Sequence, residues 1–259
     1  MLLAIDIGNT NTVLGTFDRE ELTHHWRIAT RIDYTTDELG VILAGLLAGA
    51  QVRIEALDSV VVSSVVPSLN QAIDGMCTRY LHLDPLVIGP GVRTGMQIRY
   101  DNPREVGADR IVNSVAAFSK YGGPAVVIDF GTATTFDAIG ATGDYLGGVI
   151  APGIRISMDA LFNRAAKLPR FELTVPPGLE GVIGKNTVES MQAGFVFGFA
   201  GQIEGIVRRM RDELGGQCRV IATGGLASLI ATHAGVIEVV DDNLTLDGLR
   251  LLHELNLPG

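Results

Sequence analysis

Two short segments, each with an acid, a glycine and several threonines, carry the residues best suited to bind a phosphate group. The first is AIDIGNTNT, in which Asp6 precedes Gly8, and the second is VIDFGTATT, in which Asp129 precedes Gly131. In each segment an apolar run ends near the acid, the glycine allows a tight turn, and hydroxyl groups follow. Backbone N–H groups and hydroxyls in such a turn can bind phosphate oxygens, and the carboxylate can bind a cation.

The two segments lie close to half a chain apart in a protein of 259 residues, which indicates two similar halves. Their alignment pairs Asp6 with Asp129 and Thr12 with Thr135. Each segment continues into a second apolar run and therefore predicts a β-hairpin. For one copy alone, an Asp that only caps its own turn explains the pattern equally well. Two copies can face each other across a cleft and bind one nucleotide, which a single turn cannot do.

The elements around the hairpins predict mixed β-sheets covered by helices on both faces. The first half reads as three strands, a helix opened by a capping box of Thr35 and Glu38, a strand, a helix and a strand. The second half begins at Ala125 with the second hairpin and ends with a helix at residues 244–255. We therefore expect an N-terminal domain of residues 1–120 and a C-terminal domain of residues 121–259.

A third glycine turn stands in VIATGGLASLI, where a buried strand leads through Gly224 and Gly225 into a helix. The backbone N–H groups and the dipole at a helix N-terminus favour an anionic or polar ligand. Such turns also commonly connect a strand to a helix without binding a ligand. This segment therefore supports a nucleotide site only in combination with the two hairpins.

The segment YDNPREVGADRIVNSVAAF places an acidic and a basic residue, Asp109 and Arg110, at the start of an amphipathic helix. Pro103 and Gly107 break regular structure just before it, so Asp109 and Arg110 fall in its first turn. Asp109 either stabilises the helix start or accepts the proton of a substrate hydroxyl. Arg110 can bind a carboxylate or a phosphoryl group.

Composition and missing motifs exclude several classes of protein. A net charge of −9 disfavours nucleic acid and anionic lipid as partners. Cys77 and Cys218 stand alone, which argues against a zinc site. Because residues 40–50 are too few to cross a bilayer and no signal peptide is visible, the sequence predicts a cytoplasmic protein without a membrane anchor. Walker, dinucleotide-binding, serine hydrolase and zincin motifs are all missing from the sequence.

Six segments in order, AIDIGNTNTVLG, YDNPREVGADR, VIDFGTATTFD, GGVIAPG, GKNTVESMQAGFVFG and TGGLA, closely resemble the type III pantothenate kinase family of bacteria. The resemblance covers nearly the whole chain, from Asp6 to beyond Gly225. It implies an α/β fold of two actin-like, ribonuclease H-like domains, each a mixed sheet flanked by helices, with an interdomain cleft. It also implies transfer of the γ-phosphoryl group of ATP to pantothenate, the first step of coenzyme A biosynthesis.

The same resemblance implies roles for individual residues. Asp109 corresponds to the catalytic base, Asp6 to a ligand of magnesium bound with ATP, and Asp129 to a ligand of a monovalent cation, K⁺ or NH₄⁺. The family works as a homodimer with its substrate site near the subunit interface. The implied ATP contacts are Asp6, Ile7, Gly8, Asn9, Thr10, Asn11, Thr12, Val13, Gly131, Thr132, Gly224 and Gly225. The implied pantothenate contacts are Tyr100, Gly107, Ala108, Asp109, Arg110 and Thr187.

Two other functions stay open on the sequence. Another enzyme of the superfamily, such as a polyphosphate phosphatase or a small sugar kinase, would share Asp6, Asp129 and the Thr-Gly-Gly turn. Only the substrate segment separates these enzymes. A nucleotide-binding regulator or filament-forming relative of actin is the second alternative, and the chain length argues against it because actin-like polymers usually carry larger inserted subdomains.

Overall fold

The computed structural model describes residues 1–165, 168–174 and 182–257, which form two compact units. The first unit comprises Met1–Ala116 and the segment that begins at Asn243, and the second comprises Ala117–Asp242. Each unit is built on a mixed sheet of five strands. Within the described part of the chain, no helix combines the length and the apolar character that a membrane crossing requires.

The first sheet has the strand order β3-β2-β1-β4-β5, in which β1 is antiparallel to β2 and parallel to β4. Its strands are β1 (Leu2–Ile7), β2 (Asn11–Asp18), β3 (Glu21–Ala29), β4 (Ser59–Ser64) and β5 (Leu86–Val87). The predicted order of three strands, helix, strand, helix and strand is confirmed for this half.

Two helices, α1 (Thr36–Gly49) and α2 (Asn70–Met76), pack their apolar side chains on one face of this sheet. The predicted capping box is present at the start of α1: Thr35 Oγ1 accepts a hydrogen bond from the Glu38 amide at 3.2 Å. The Glu38 carboxylate accepts one from the Thr35 amide at 2.9 Å. A π-helical turn over Cys77–Leu81 extends α2.

The last helix, α7 (Leu244–Leu255), belongs to the first unit, whereas the sequence placed it in a domain of residues 121–259. It packs on β1, β2 and β4, and its Leu246 covers Gly15. Four of its leucines are buried, which covers the second face of the first sheet: Leu244, Leu246, Leu249 and Leu252. Local periodicity predicts the helix but not which sheet it covers, so the compact units differ from the expected domains at this end.

The connecting helix α3 (Ala108–Tyr121) starts in the first unit and ends in the second. The sheet of the second unit repeats the topology of the first, with the order β10-β9-β6-β7-β8. Helices α4, α5 and α6 contribute to the apolar core on one face of this sheet. The elements of this unit are β6 (Ala125–Phe130), β7 (Ala133–Ile139), β8 (Tyr145–Pro152), α4 (Ile154–Arg164), α5 (Thr187–Glu213), β9 (Arg219–Thr223), α6 (Ala227–Ala231) and β10 (Val239–Val240).

The contact between α7 and α3 gives a stability prediction. A Cβ at Gly248 would collide with the carbonyl oxygen of Val112, so Gly248→Ala should destabilise the protein by about 1–3 kcal/mol although alanine favours helices. Gly45 on α1 has open space around it, and Gly45→Ala should stabilise the protein by about 0.5–1 kcal/mol. Urea denaturation measures both. Effects of the same sign would contradict the close packing of α7 on α3.

Candidate functional site

The turn between β1 and β2 is closed by its own backbone and by Thr30. The Gly8 amide donates to the Asn11 carbonyl at 3.0 Å, and the Thr30 hydroxyl donates to the Gly8 carbonyl at 2.7 Å. Thr30 Oγ1 also lies 2.9 Å from Thr12 Oγ1. Thr30 directly follows β3, so the third strand fixes the first turn. The predicted ATP contacts at residues 6–13 therefore lie in one braced hairpin, with Asp6 half-buried at its base.

The turn between β6 and β7 is in close backbone contact with Gly153. A Cβ on Gly153 would collide with the carbonyl oxygen of Thr132 and lie 2.8 Å from that of Gly131. Gly153 directly follows β8, the position that Thr30 takes after β3 in the other unit. The two turns are thus braced from equivalent positions by different means. The sequence predicted neither brace, although Gly153 ends the GGVIAPG segment.

Strand register corrects the alignment of the two hairpins. Asp6 lies opposite Val13, whereas Asp129 lies opposite Thr135. In structural terms Thr12 therefore corresponds to Thr134, and the predicted pairing of Thr12 with Thr135 is wrong by one residue. The cause is a second turn that is one residue shorter, which an alignment without gaps cannot detect.

The Thr-Gly-Gly turn after β9 lies against the acid of the second hairpin. Strands β9 and β6 are parallel, and Thr223 is the register partner of Asp129. Gly224 has a φ of +93°, and a Cβ on it would lie 2.6 Å from Asp129 Oδ1. Only glycine permits this approach. The structure therefore brings together two features that the sequence identified separately, the acid and the Gly224–Gly225 turn.

Asp109 lies in the first turn of α3, as predicted, and Gly107 makes room for it. The carbonyl of Gly107 accepts hydrogen bonds from the amides of Arg110 and Ile111, at 3.1 and 3.3 Å, and so starts the helix. A Cβ on Gly107 would lie 2.5 Å from Asp109 Oδ1. The Asp109 carboxylate in turn accepts a hydrogen bond from the Arg110 amide at 2.9 Å. Glycine at position 107 therefore leaves the space that the Asp109 carboxylate occupies.

Burial raises the pKa of the Asp109 carboxyl above its ordinary value of 3.8, and the hydrogen bond from the Arg110 amide and the Arg110 charge oppose this only in part. A carboxylate with a raised pKa is a stronger base than a free aspartate. Arg110 itself is buried beside it. This environment suits a group that takes a proton from an alcohol.

The remaining predicted substrate contacts come from both units. Tyr100 is exposed in the first unit, and Thr187 is the first residue of α5 in the second. A cap that the sequence did not predict fixes this helix start: Asn186 Oδ1 accepts from the Glu189 amide at 2.9 Å, and Glu189 accepts from the Lys185 amide at 2.8 Å. Asn186 and Glu189 three residues apart are the sequence signal for it.

A groove of about 730 Å³ runs along the N-terminal half of α5. Lys185, Asn186 and Thr187 form its polar part, and the aromatic rings of Phe195 and Phe199 contribute to its apolar part. Thr187 therefore stands in the polar part of a largely apolar groove of the second unit.

The described residues contain no group of three or more His, Cys, Asp and Glu side chains that could hold a metal ion. Asp6 and Asp129 each offer a single carboxylate beside a turn rich in hydroxyls. Magnesium usually takes one or two protein carboxylates and completes its shell with water and substrate phosphates. The two acids therefore fit cations that bind together with a nucleotide and not a preformed protein cage.

The chain matches the family model of type III pantothenate kinase over residues 2–209. A type III pantothenate kinase of Moorella thermoacetica is 59% identical over 256 residues, which are 99% of this chain and 100% of that protein. A type III pantothenate kinase of Brevibacillus brevis is 55% identical over 256 residues, with 99% of both chains covered.

Solved structures agree on the fold. A conserved Campylobacter jejuni protein assigned to the Baf family of transcriptional activators aligns with a TM-score of 0.61 at 18% identity, covering 98% of both chains. An inorganic polyphosphate/ATP-glucomannokinase from Arthrobacter aligns with a TM-score of 0.50 at 14% identity, covering 98% of this chain and 97% of that one. The predicted fold class of two α/β domains with mixed sheets is confirmed.

The raised pKa of Asp109 gives a pH-dependent stability prediction. The folded carboxyl holds its proton more tightly than the unfolded one, so the wild-type protein loses stability as pH rises from 3.8 through the raised folded pKa. Asp109→Asn removes this loss. Its melting temperature relative to wild type should therefore increase as the pH rises above 3.8 and level off once the pH exceeds the raised folded pKa. Thermal melts without ligand measure it.

The exposed Asp101 provides the matched control for this experiment. Asp101→Asn makes the same chemical change on the same segment without a buried carboxylate, so the pH profile of Asp109→Asn is compared with that of this variant. A pH-independent offset for Asp109→Asn would contradict the effect of burial.

Proposed function

Because the chain belongs to the type III pantothenate kinase family, we propose that it transfers the γ-phosphoryl group of ATP to the primary hydroxyl of pantothenate, giving 4′-phosphopantothenate. This reaction is the first step of coenzyme A biosynthesis. The observation that carries the proposal is 59% identity to a named pantothenate kinase over 99% of the chain. The enzyme is an ATP-dependent kinase, and its phosphoryl acceptor is a small molecule.

The first hairpin is the proposed phosphate-binding element. Its turn is closed by Thr30, and Asn9 and Thr10 at the tip are exposed, where phosphate oxygens would bind. Asp6 at its base would hold magnesium, which neutralises phosphate charge when it is bound with ATP. The remaining ATP contacts, Thr132 and the Gly224–Gly225 turn, come from the second unit.

Asp109 is the proposed general base. Its carboxylate accepts the proton of the pantothenate hydroxyl as the oxygen attacks the γ-phosphorus. Burial strengthens the base by raising its pKa, and the start of α3 holds it in place. Arg110 is the proposed partner of the pantothenate carboxylate, with Tyr100, Gly107, Ala108 and Thr187 as further contacts.

Asp129 is the proposed ligand of a monovalent cation, K⁺ or NH₄⁺. The close approach of Gly224 supports this, because a turn without a side chain leaves the carboxylate within reach of backbone oxygens and a bound ion. Such a cation would offset negative charge beside the Thr132 turn. No covalent intermediate is required, since phosphoryl transfer depends on positioning and charge neutralisation.

A homodimer and a cytoplasmic location complete the proposal. The dimer is supported by exposed apolar side chains on the edge strand β8, where Val149 and Ile150 are 37% and 64% exposed. The location and the expected lack of nucleic acid and membrane partners stay predictions.

A coupled assay of ADP release tests the proposed substrate. ADP release should increase in proportion to added pantothenate and should not respond to glycerol, acetate or sugars. Activity with those acceptors and none with pantothenate would exclude this function and favour another phosphotransferase.

In the assay of ADP release with pantothenate, Asp109→Asn should lower turnover by about 10²–10⁴-fold, the range for loss of a general base. Calorimetric binding of ATP by this variant serves as the control and should be retained.

Dependence on potassium tests the role of Asp129. Turnover should be higher in potassium than in sodium chloride at equal ionic strength, and Asp129→Asn should abolish the difference. Gly224→Ala should have the same effect, because its Cβ would displace the Asp129 carboxylate. Equal wild-type rates in the two salts would contradict a monovalent cation site.

A further inference from the structure

The hydroxyl of Ser63, near the end of β4, is buried without a partner. Ser63 has no exposed surface, and its Oγ makes no hydrogen bond with any residue that the structure describes. Its neighbour Ser64 differs, since Ser64 Oγ accepts from the Val66 amide at 3.2 Å and so fixes the following turn. Ser63 therefore has no comparable structural task.

Strand register places Ser63 beside Asp6. The two are register partners in the parallel strands β4 and β1, so their side chains leave the sheet on the same face. This is the face that α7 covers, whereas Ile5 and Val62 point to the core on the other face. Asp6 is half-buried, two residues before Gly8 of the turn.

The second unit repeats the arrangement. Thr223 on β9 is the register partner of Asp129 on β6, and β9 occupies in that sheet the place of β4 in the first. Thr223 is also buried. In both units a buried hydroxyl residue thus stands beside the acid of the hairpin, on the neighbouring parallel strand.

An unpaired buried hydroxyl destabilises a protein by about 1–3 kcal/mol, so alanine would serve better at position 63 if packing were its only task. A native group of this kind calls for a partner in another state of the molecule. Because no solvent reaches Ser63, a ligand cannot contact its hydroxyl directly. The Asp6 side chain, one strand away, can reach it by a change of rotamer.

We propose that Ser63 is a positioning residue for Asp6: when magnesium and ATP bind, the Ser63 hydroxyl donates a hydrogen bond to the Asp6 carboxylate and fixes its orientation toward the cation. The inference rests on the proposed role of Asp6 in that function. The hydrogen bond forms only in the loaded state, so its loss affects binding of the magnesium nucleotide and not the folding of the free protein.

Isothermal titration calorimetry of ATP with and without magnesium tests this proposal on the full chain. Ser63→Ala should weaken ATP binding roughly tenfold with magnesium, as expected for one hydrogen bond to a charged group, and leave it unchanged without magnesium. The melting temperature of the ligand-free variant should be equal to or above that of wild type. Ser63→Thr, which keeps the hydroxyl and copies Thr223, should retain wild-type affinity.

Ser64→Ala is the matched control, since it removes the adjacent hydroxyl on the opposite face and should not alter the magnesium dependence. Unchanged magnesium–ATP affinity in Ser63→Ala would overturn the proposal. A lower melting temperature of the free Ser63→Ala protein would also overturn it, because the hydroxyl would then have a structural partner such as a buried water. Pantothenate is absent from these titrations, so a failure of the proposed substrate is detected separately by the ADP assay.

Discussion

A carboxylate stands close to the end of the middle strand in each sheet, and the structure around it follows from the need to stabilise that charge. Asp6 and Asp129 are half-buried, hydrogen-bonded strands flank both, and neither has a cluster of other acids or histidines around it among the described residues. A partly desolvated charge in such a place requires dipoles or a cation close by. The glycine turns, the neighbouring hydroxyls and the short approach of Gly224 all serve that requirement.

The two units meet this requirement with the same topology but different chemistry. In the first unit a threonine after the third strand donates a hydrogen bond to the turn, whereas in the second unit a glycine at the same position lets the backbones touch. The turn lengths differ by one residue as well. The two hairpins can therefore differ in task, as in the proposed roles of Asp6 with magnesium and of Asp129 with a monovalent cation.

Local signals in the sequence predicted most of the elements, because capping, alternation and glycine placement act within a few residues. Thr35 and Glu38 opened α1 as expected, Asp109 fell in the first turn of α3, and α7 has the predicted bounds. Contacts between distant segments were not predictable in this way. The brace by Thr30, the approach of Gly224 to Asp129 and the packing of α7 on the first sheet depend on how strands and helices assemble, which periodicity does not encode. The two acidic turns, the Gly224–Gly225 turn and Asp109 were identified from local pattern, whereas the individual roles of the site residues rested on family resemblance.

The lack of space at Gly153 restricts which substitutions the second turn can accept. Any side chain there would push the Thr132 carbonyl out of place, so the second turn tolerates almost no variation at its supporting position. The first turn is supported by the side chain of Thr30. Serine or another small polar residue at position 30 could change the conformation of this turn slightly. Adaptation toward a different nucleotide or phosphate donor is therefore expected to accumulate around the first hairpin, while the second stays fixed.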